Sequence, residues 1–153
     1  MSYQITNARR SHVSGIHAIE VECFSEPWTE ETIISQLNSE NHVFLVALDG
    51  DAVVGYVGMM NVLDEGYISN VAVTSANRRQ RIADALIDEL MVRAAELELV
   101  FVTLEVRESN LPAISLYRSE GFEGCGVRKN FYRHPVESAL LMVYRATEGE
   151  ENT

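Results

Sequence analysis

"YISNVAVTSANRRQRIADALIDEL", residues 67–90, changes its hydrophobic habit halfway along. Up to Val73 it is a β-rich run. Beyond it Ile82, Leu86, Leu90 and Ala94 recur at steps of four, with Asp84, Asp88 and Glu89 on other faces, which predicts a helix from Arg79 to Leu97 with one stripe toward a core. A strand therefore hands over to a long helix, and the join holds Arg78, Arg79 and Arg81, three of only twelve basic residues. A helix N-terminus offers unpaired N–H groups and a partial positive charge, a setting suited to a pyrophosphate, and arginine grips phosphate bidentately. The same arginines also read as a solvated face balancing Asp84 and Asp88.

Upstream, Tyr3 to Thr6 alternates as a short strand, and Val13, Ile16 and Ile19 recur at helical spacing between Ser11 and Phe24. "CFSEPWTEETIISQL" (23–37) breaks that helix at Pro27 and restarts it at Thr29, an N-cap followed by two glutamates, with an end expected near Asn38. Residues 42–75 contain three β-rich runs separated by Asp49-Gly50-Asp51 and Asp64-Glu65-Gly66, the pattern of an antiparallel meander. Gly55 and Gly58 within it mark close packing or a bulge, or are simply tolerated.

Downstream, "LVFVTLEVRES" (99–109) predicts a buried strand and "SNLPAISLYRSEGF" (109–122) a short helix with Pro112 in its first turn and Gly121 at its end. "SALLMVYR" (138–145) predicts a last strand, and the acidic tail 146–153 is expected to fray. The prediction is one α/β domain over residues 1–145, a central mixed, mostly antiparallel sheet flanked by helices.

With 153 residues, 46% of them hydrophobic, the chain suits one globular domain. Acidic residues outnumber basic ones 23 to 12, a net charge of −11 that disfavours nucleic acid and anionic membranes and attracts a basic partner. Two cysteines, Cys23 and Cys125, and four dispersed histidines form no disulfide framework and no metal spacing. The N-terminus lacks the apolar core of a signal peptide and no run approaches a membrane span, so a cytoplasmic location is expected. No oligomeric state is specified.

Four separated blocks then narrow the reading: "NVAV…RRQRIA", "LEVRESNLPAISLYRSEGF" and, on either side, "CFSEPW" and "VRKNFY". Together they resemble the GCN5-related N-acetyltransferases (GNAT), and within them the RimI subgroup of ribosomal-protein-alanine N-acetyltransferases, over about residues 3–144. The resemblance implies a GNAT fold, acetyl-coenzyme A as cosubstrate and no metal. It also implies that Glu105 is a general base, Tyr117 a general acid and Asn110 a cofactor contact. Val71, Ala72 and Val73 would pair with the pantetheine arm. Arg78, Arg79, Gln80, Arg81, Ile82, Ala83 and Asp84 would hold the pyrophosphate.

The loop departs from the family form Q/R-x-x-G-x-G/A, because Arg81 stands where the first glycine is usual. A Cβ there crowds the backbone approach of a ligand; alternatively, a helical backbone at Arg81 needs no unusual dihedral and the guanidinium adds a phosphate contact.

The residues agree with the implied chemistry. In "VFVTLEVR" a period of two sets Val100, Val102, Leu104 and Val106 on one face and Phe101, Thr103, Glu105 and Arg107 on the other. A carboxylate there can take a proton from an ammonium, or can simply salt-bridge, with Arg107 as a neighbour. Tyr117 reads as a proton donor to a leaving thiolate or as a core tyrosine.

An α-amine, with a reference pKa near 8, is roughly a tenth neutral at pH 7, whereas a lysine near 10.4 is almost wholly charged, so an N-terminal amine asks less of Glu105. The RimI resemblance implies the N-terminal alanine of a small-subunit ribosomal protein, a basic class of partner that an acidic enzyme would steer. Trp28 and Tyr132 are candidates to wall the acceptor path. Glu26, Glu30 and Glu31 read either as acceptor contacts or as ordinary helix-N-terminal charge. Lysine or small-amine acetylation, and a coenzyme-A-binding module with little catalysis, are the alternatives.

Overall fold

The structure, a computed structural model, describes residues 3–78 and 80–146. Arg79 and residues 147–153, most of the acidic tail, lie outside the described residues. In chain order the elements are β1 (Gln4–Asn7), α1 (Val13–Cys23), α2 (Glu30–Leu37), β2 (His42–Asp49), β3 (Ala52–Val62), β4 (Glu65–Val73), α3 (Ile82–Glu96), β5 (Phe101–Arg107), α4 (Leu111–Ser119), β6 (Glu123–Tyr132) and β7 (Glu137–Arg145). The strands form one sheet in the order β1-β2-β3-β4-β5-β7-β6, every neighbouring pair antiparallel except β4 and β5.

The helix ends follow from local chemistry. Thr29 Oγ1 accepts the Thr32 N–H at 3.1 Å, and Glu30 and Glu31 occupy the first turn of α2, where carboxylates favour the helix dipole. Asn110 Oδ1 caps α4 by accepting the Ala113 N–H at 3.2 Å, Pro112 needs no N–H in that turn, and Gly121, with φ of 99°, leaves the helix in a conformation open to glycine.

One sheet face packs on α3 and α4 through Leu45, Val57, Met59, Leu86, Leu90, Leu104 and Tyr117; the other packs on α1 and α2 through Ile16, Ile19, Ile33, Phe44 and Tyr56. Gly55 is required by the first of these. A Cβ on it would stand 3.2 Å from Ile82 and Leu86 side-chain carbons and from the Ala72 carbonyl, so the bare backbone lets α3 lie close to the sheet. Gly58 marks the bulge: the β3–β4 register jumps between Gly58↔Asn70 and Met59↔Ile68, leaving Ser69 as the extra residue.

One strand differs from the sequence reading. Residues 123–132 form the edge strand β6, which the prediction did not count, because its residues are exposed almost throughout and show no apolar alternation.

Candidate active site

The parallel contact between β4 and β5 is short. It runs through Glu65↔Phe101, Gly66↔Val102 and Tyr67↔Thr103 and then ends, while β4 continues to Val73 and β5 to Arg107. The strands diverge into a cleft of about 900 Å³, lined by Tyr67 to Val71 on one side, Leu104 to Arg107 on the other, and by Asn110, Tyr117, Trp28 and Tyr132. Beyond Tyr67, the β4 main chain therefore faces this gap without a β5 partner.

β5 places Glu105 in the cleft. Val102, Leu104 and Val106 are buried in the α3–α4 core, so the alternate face carries Glu105 and Arg107 into the opening. Glu105 is only 10% exposed; its Oε1 accepts the Tyr67 hydroxyl and its Oε2 faces Arg128 Nη1 at 3.7 Å. Neither partner was anticipated. Tyr67 comes into register only because β4 and β5 run parallel, and Arg128 because β6 returns beside β7.

The ion-pair alternative weighed for Glu105 is met by Arg128 and not by its neighbour Arg107. Arg107 instead bonds Glu137 Oε1 at 3.2 Å and the carbonyls of Pro135 and Arg133 at 2.9 and 3.1 Å, with its guanidinium carbon 4.4 Å from the centre of the Tyr132 ring. It ties the β6–β7 turn to the cleft. Glu137 accepts the Ser109 N–H at 2.7 Å as well, and these bonds hold its carboxyl below the usual range.

Tyr117 is buried under the cleft, edge-on to Phe122 at 5.8 Å. Burial, assisted by Tyr132, raises its hydroxyl well above the normal tyrosine range, so it holds its proton firmly. Burial and then the Glu105 charge push Tyr132 up to about 12. Tyr67 is raised in the same direction by burial and by its bond to Glu105. The cleft thus sets Glu105 among hydroxyls that remain protonated, with Glu26 lining it from the α1–α2 side.

The strand-to-helix join forms a second, smaller pocket of about 260 Å³, lined by Val73, Asn77, Arg78, Arg81, Ile82, Ala83 and Asp84. The first backbone bond of α3 is from Ala85 N–H to the Arg81 carbonyl, and among the described residues no side chain caps the helix, so the N–H groups of Ile82, Ala83 and Asp84 precede its hydrogen-bond ladder. The Ile82 side chain is core; its main chain is what it offers the pocket.

Arg81 is not helical. Its φ of 60° and ψ of 26° are left-handed, the conformation glycine adopts freely, which corrects the reading that it needs no unusual dihedral. The loop thereby keeps a glycine-like path while carrying a side chain that is 88% exposed and lies 3.5 Å from Asp84. Arg78 folds back instead, donating to the Val73 carbonyl at 3.3 Å and to Cys23 Sγ at 3.4 Å. Gln80 is exposed outside the pocket lining, and Ala72 packs into the α1–α2 face, away from the cleft. Arg79 lies outside the described residues.

Residues 13–122 match the model of the acetyltransferase (GNAT) family. The chain is 30% identical over 140 residues to the [ribosomal protein bS18]-alanine N-acetyltransferase of Escherichia coli K12, covering 90% of this chain and 94% of that protein. The crystal structure of the ribosomal-protein-S18-alanine N-acetyltransferase from E. coli superposes with a TM-score of 0.88 at 28% identity, over 96% of this chain and 97% of that one. The fold also matches the PaiA N-acetyltransferase from Thermoplasma acidophilum in complex with coenzyme A, with a TM-score of 0.78 at 12% identity over 95% of this chain and 100% of that one.

Proposed function

The chain belongs to the GNAT family of acetyltransferases, and on that premise we propose that it moves an acetyl group from acetyl-coenzyme A to a protein N-terminal amine, that of the N-terminal alanine of a small-subunit ribosomal protein. The observation that carries this reading is the open β4–β5 junction, with the Glu105 carboxylate and the deeply buried Tyr117 hydroxyl on its walls.

Acetyl-coenzyme A supplies the thioester. The N–H groups of Ile82, Ala83 and Asp84 and the exposed Arg81 guanidinium suit its pyrophosphate, and the β4 main chain from Ile68 to Val73 suits its pantetheine arm. Asn110 is committed to capping α4 through Oδ1, which leaves its side-chain NH₂ for a cofactor contact.

Glu105 takes a proton from the incoming ammonium, directly or through water, so that the neutral amine can attack. Tyr67 and Arg128 orient the carboxylate. As the C–N bond forms and the C–S bond breaks, Tyr117 gives its proton to sulfur and regains one from the acylated nitrogen. Trp28 and Tyr132 wall the acceptor side of the cleft.

An α-amine asks less of Glu105 than lysine does, because far more of it is neutral at pH 7. The net charge of −11 also favours the approach of a basic ribosomal protein. The test is a basic peptide with a free N-terminal alanine and internal lysines, incubated with acetyl-coenzyme A and mapped by mass spectrometry. Acetyl on the α-nitrogen is expected; acetyl confined to lysine ε-nitrogens overturns the acceptor assignment.

A further inference from the structure

Glu20 is a carboxylate in α1 with no exposed surface, in a row otherwise filled by Val13, Ile16 and Ile19. Its Oε1 accepts the Trp28 N–H at 2.7 Å, while Oε2 accepts Asn70 Nδ2 at 2.8 Å and the Tyr56 hydroxyl. These donors come from the α1–α2 connection, from β4 and from β3. A buried carboxylate is tolerated only when its lone pairs are taken up, and an apolar residue would satisfy packing alone at lower desolvation cost. The hydrogen-bonded carboxyl group therefore holds something that packing does not require.

The connection it holds is part of the cleft. Phe24, Ser25, Glu26 and Trp28 all line the opening, and Glu20 grips that segment at both ends: its main-chain carbonyl accepts the Phe24 N–H at 3.0 Å and its side chain accepts the Trp28 N–H. The Trp28 ring then leans on Tyr56, with centroids 6.5 Å apart. Asn70, the third partner, lines the cleft from the β4 side.

We propose that Glu20 is a positioning residue for acceptor binding, a clamp that fixes residues 24–28 and holds Trp28 as one wall of the acceptor path. It acts through Trp28 and touches none of the reacting groups. The proposal rests on the reading of the cleft as the acceptor site.

The chain has one tryptophan, so Trp28 reports on its own loop. Glu20→Gln keeps the shape and the acceptor oxygen for Trp28 but gives Asn70 and Tyr56 a donor in place of an acceptor. In the full chain it is expected to raise the KM for an alanine-starting peptide about fivefold or more, leave the KM for acetyl-coenzyme A within about twofold, and increase acrylamide quenching of Trp28 emission. A clamp that merely stabilised the fold would move both KM values together or neither, and either pattern overturns the proposal. So does unchanged quenching.

If Glu20→Gln fails to fold, Tyr56→Phe, which deletes one donor only, is measured in the same way and should shift the same two quantities less. Should wild-type protein turn over no peptide, the acceptor reading fails, and the quenching comparison still decides whether Glu20 fixes Trp28.

Discussion

Tyr67, the last residue of β4 to pair with β5, donates its hydroxyl proton to Glu105 across the point where the two strands separate. The end of the strand pairing and the orientation of the cleft carboxylate are thus set at one place. The geometry allows this because Tyr67 is opposite Thr103 and Glu105 is the next residue of β5 on that face.

Removing that hydroxyl should impair catalysis more than folding. Tyr67→Phe is expected to lower kcat/KM for the acceptor about tenfold, the scale of one hydrogen bond to a charged group. Its thermal midpoint should change little. Steady-state kinetics beside a melting curve checks this, and an unchanged rate would separate Tyr67 from the reaction.

Tyr117→Phe keeps the ring packed against Phe122 and deletes only the hydroxyl, the proposed proton donor. A fall in kcat of roughly ten- to a hundredfold is expected, without abolition, because a thiol with a pKa of about 8.5 leaves tolerably as its anion. The hydroxyls of Tyr67, Tyr117 and Tyr132 all hold their protons more firmly in the folded chain, so no tyrosine should break the rate profile below about pH 10. Their contribution to stability is present below that unfolded-chain value and is lost as the pH rises through the folded-state values. Melting temperatures above pH 10 should therefore decline.

Arg81 combines a strained backbone with a useful side chain. Arg81→Gly relieves a left-handed residue, worth about 1 kcal/mol, and should raise the melting temperature by about 2–4 °C. The same change should weaken acetyl-coenzyme A binding and flatten its salt dependence, since it removes the charge proposed to meet the pyrophosphate. Equal or tighter binding by calorimetry would show that Arg81 does not reach the pyrophosphate.

Glu120 lies beside Asp88 and Asp84, and burial, the bond to Asp88 and those charges raise its pKa to about 7. The unfolded value is near 4.5, so the favourable, protonated form is complete below that pH and is lost as the pH rises through 7. Glu120→Gln should then raise the melting temperature by roughly 2 °C at pH 8, a small figure because the group is largely solvated, and have little effect at pH 5.

Much of this arrangement was legible in the sequence because it rests on local signals. The step from β-rich run to helical period at Thr74, the Thr29 cap, Pro112 and Gly121 at the two ends of α4, and the alternation around Glu105 each depend on neighbouring residues, and the elements form where those signals fall. Tyr67, Arg128 and the true partner of Arg107 depend on which strands lie side by side. That information is in the sheet order and the short β4–β5 register, which no local spacing encodes. β6 was hidden for a different reason: an exposed edge strand has no buried face to impose a pattern. The backbone of Arg81 was left open between a glycine-like and a helical reading because arginine seldom adopts a positive φ, and only the turn into α3 imposes it.

The most direct test of the account is coenzyme A release from acetyl-coenzyme A with a basic alanine-starting peptide, its N-blocked twin carrying the same lysines, and the Glu105→Gln variant. The account predicts release with wild type and the free peptide, none above background with the blocked one, and a loss of about a hundredfold or more in Glu105→Gln. Equal turnover of the blocked peptide, or a Glu105→Gln rate within a few-fold of wild type, would contradict it.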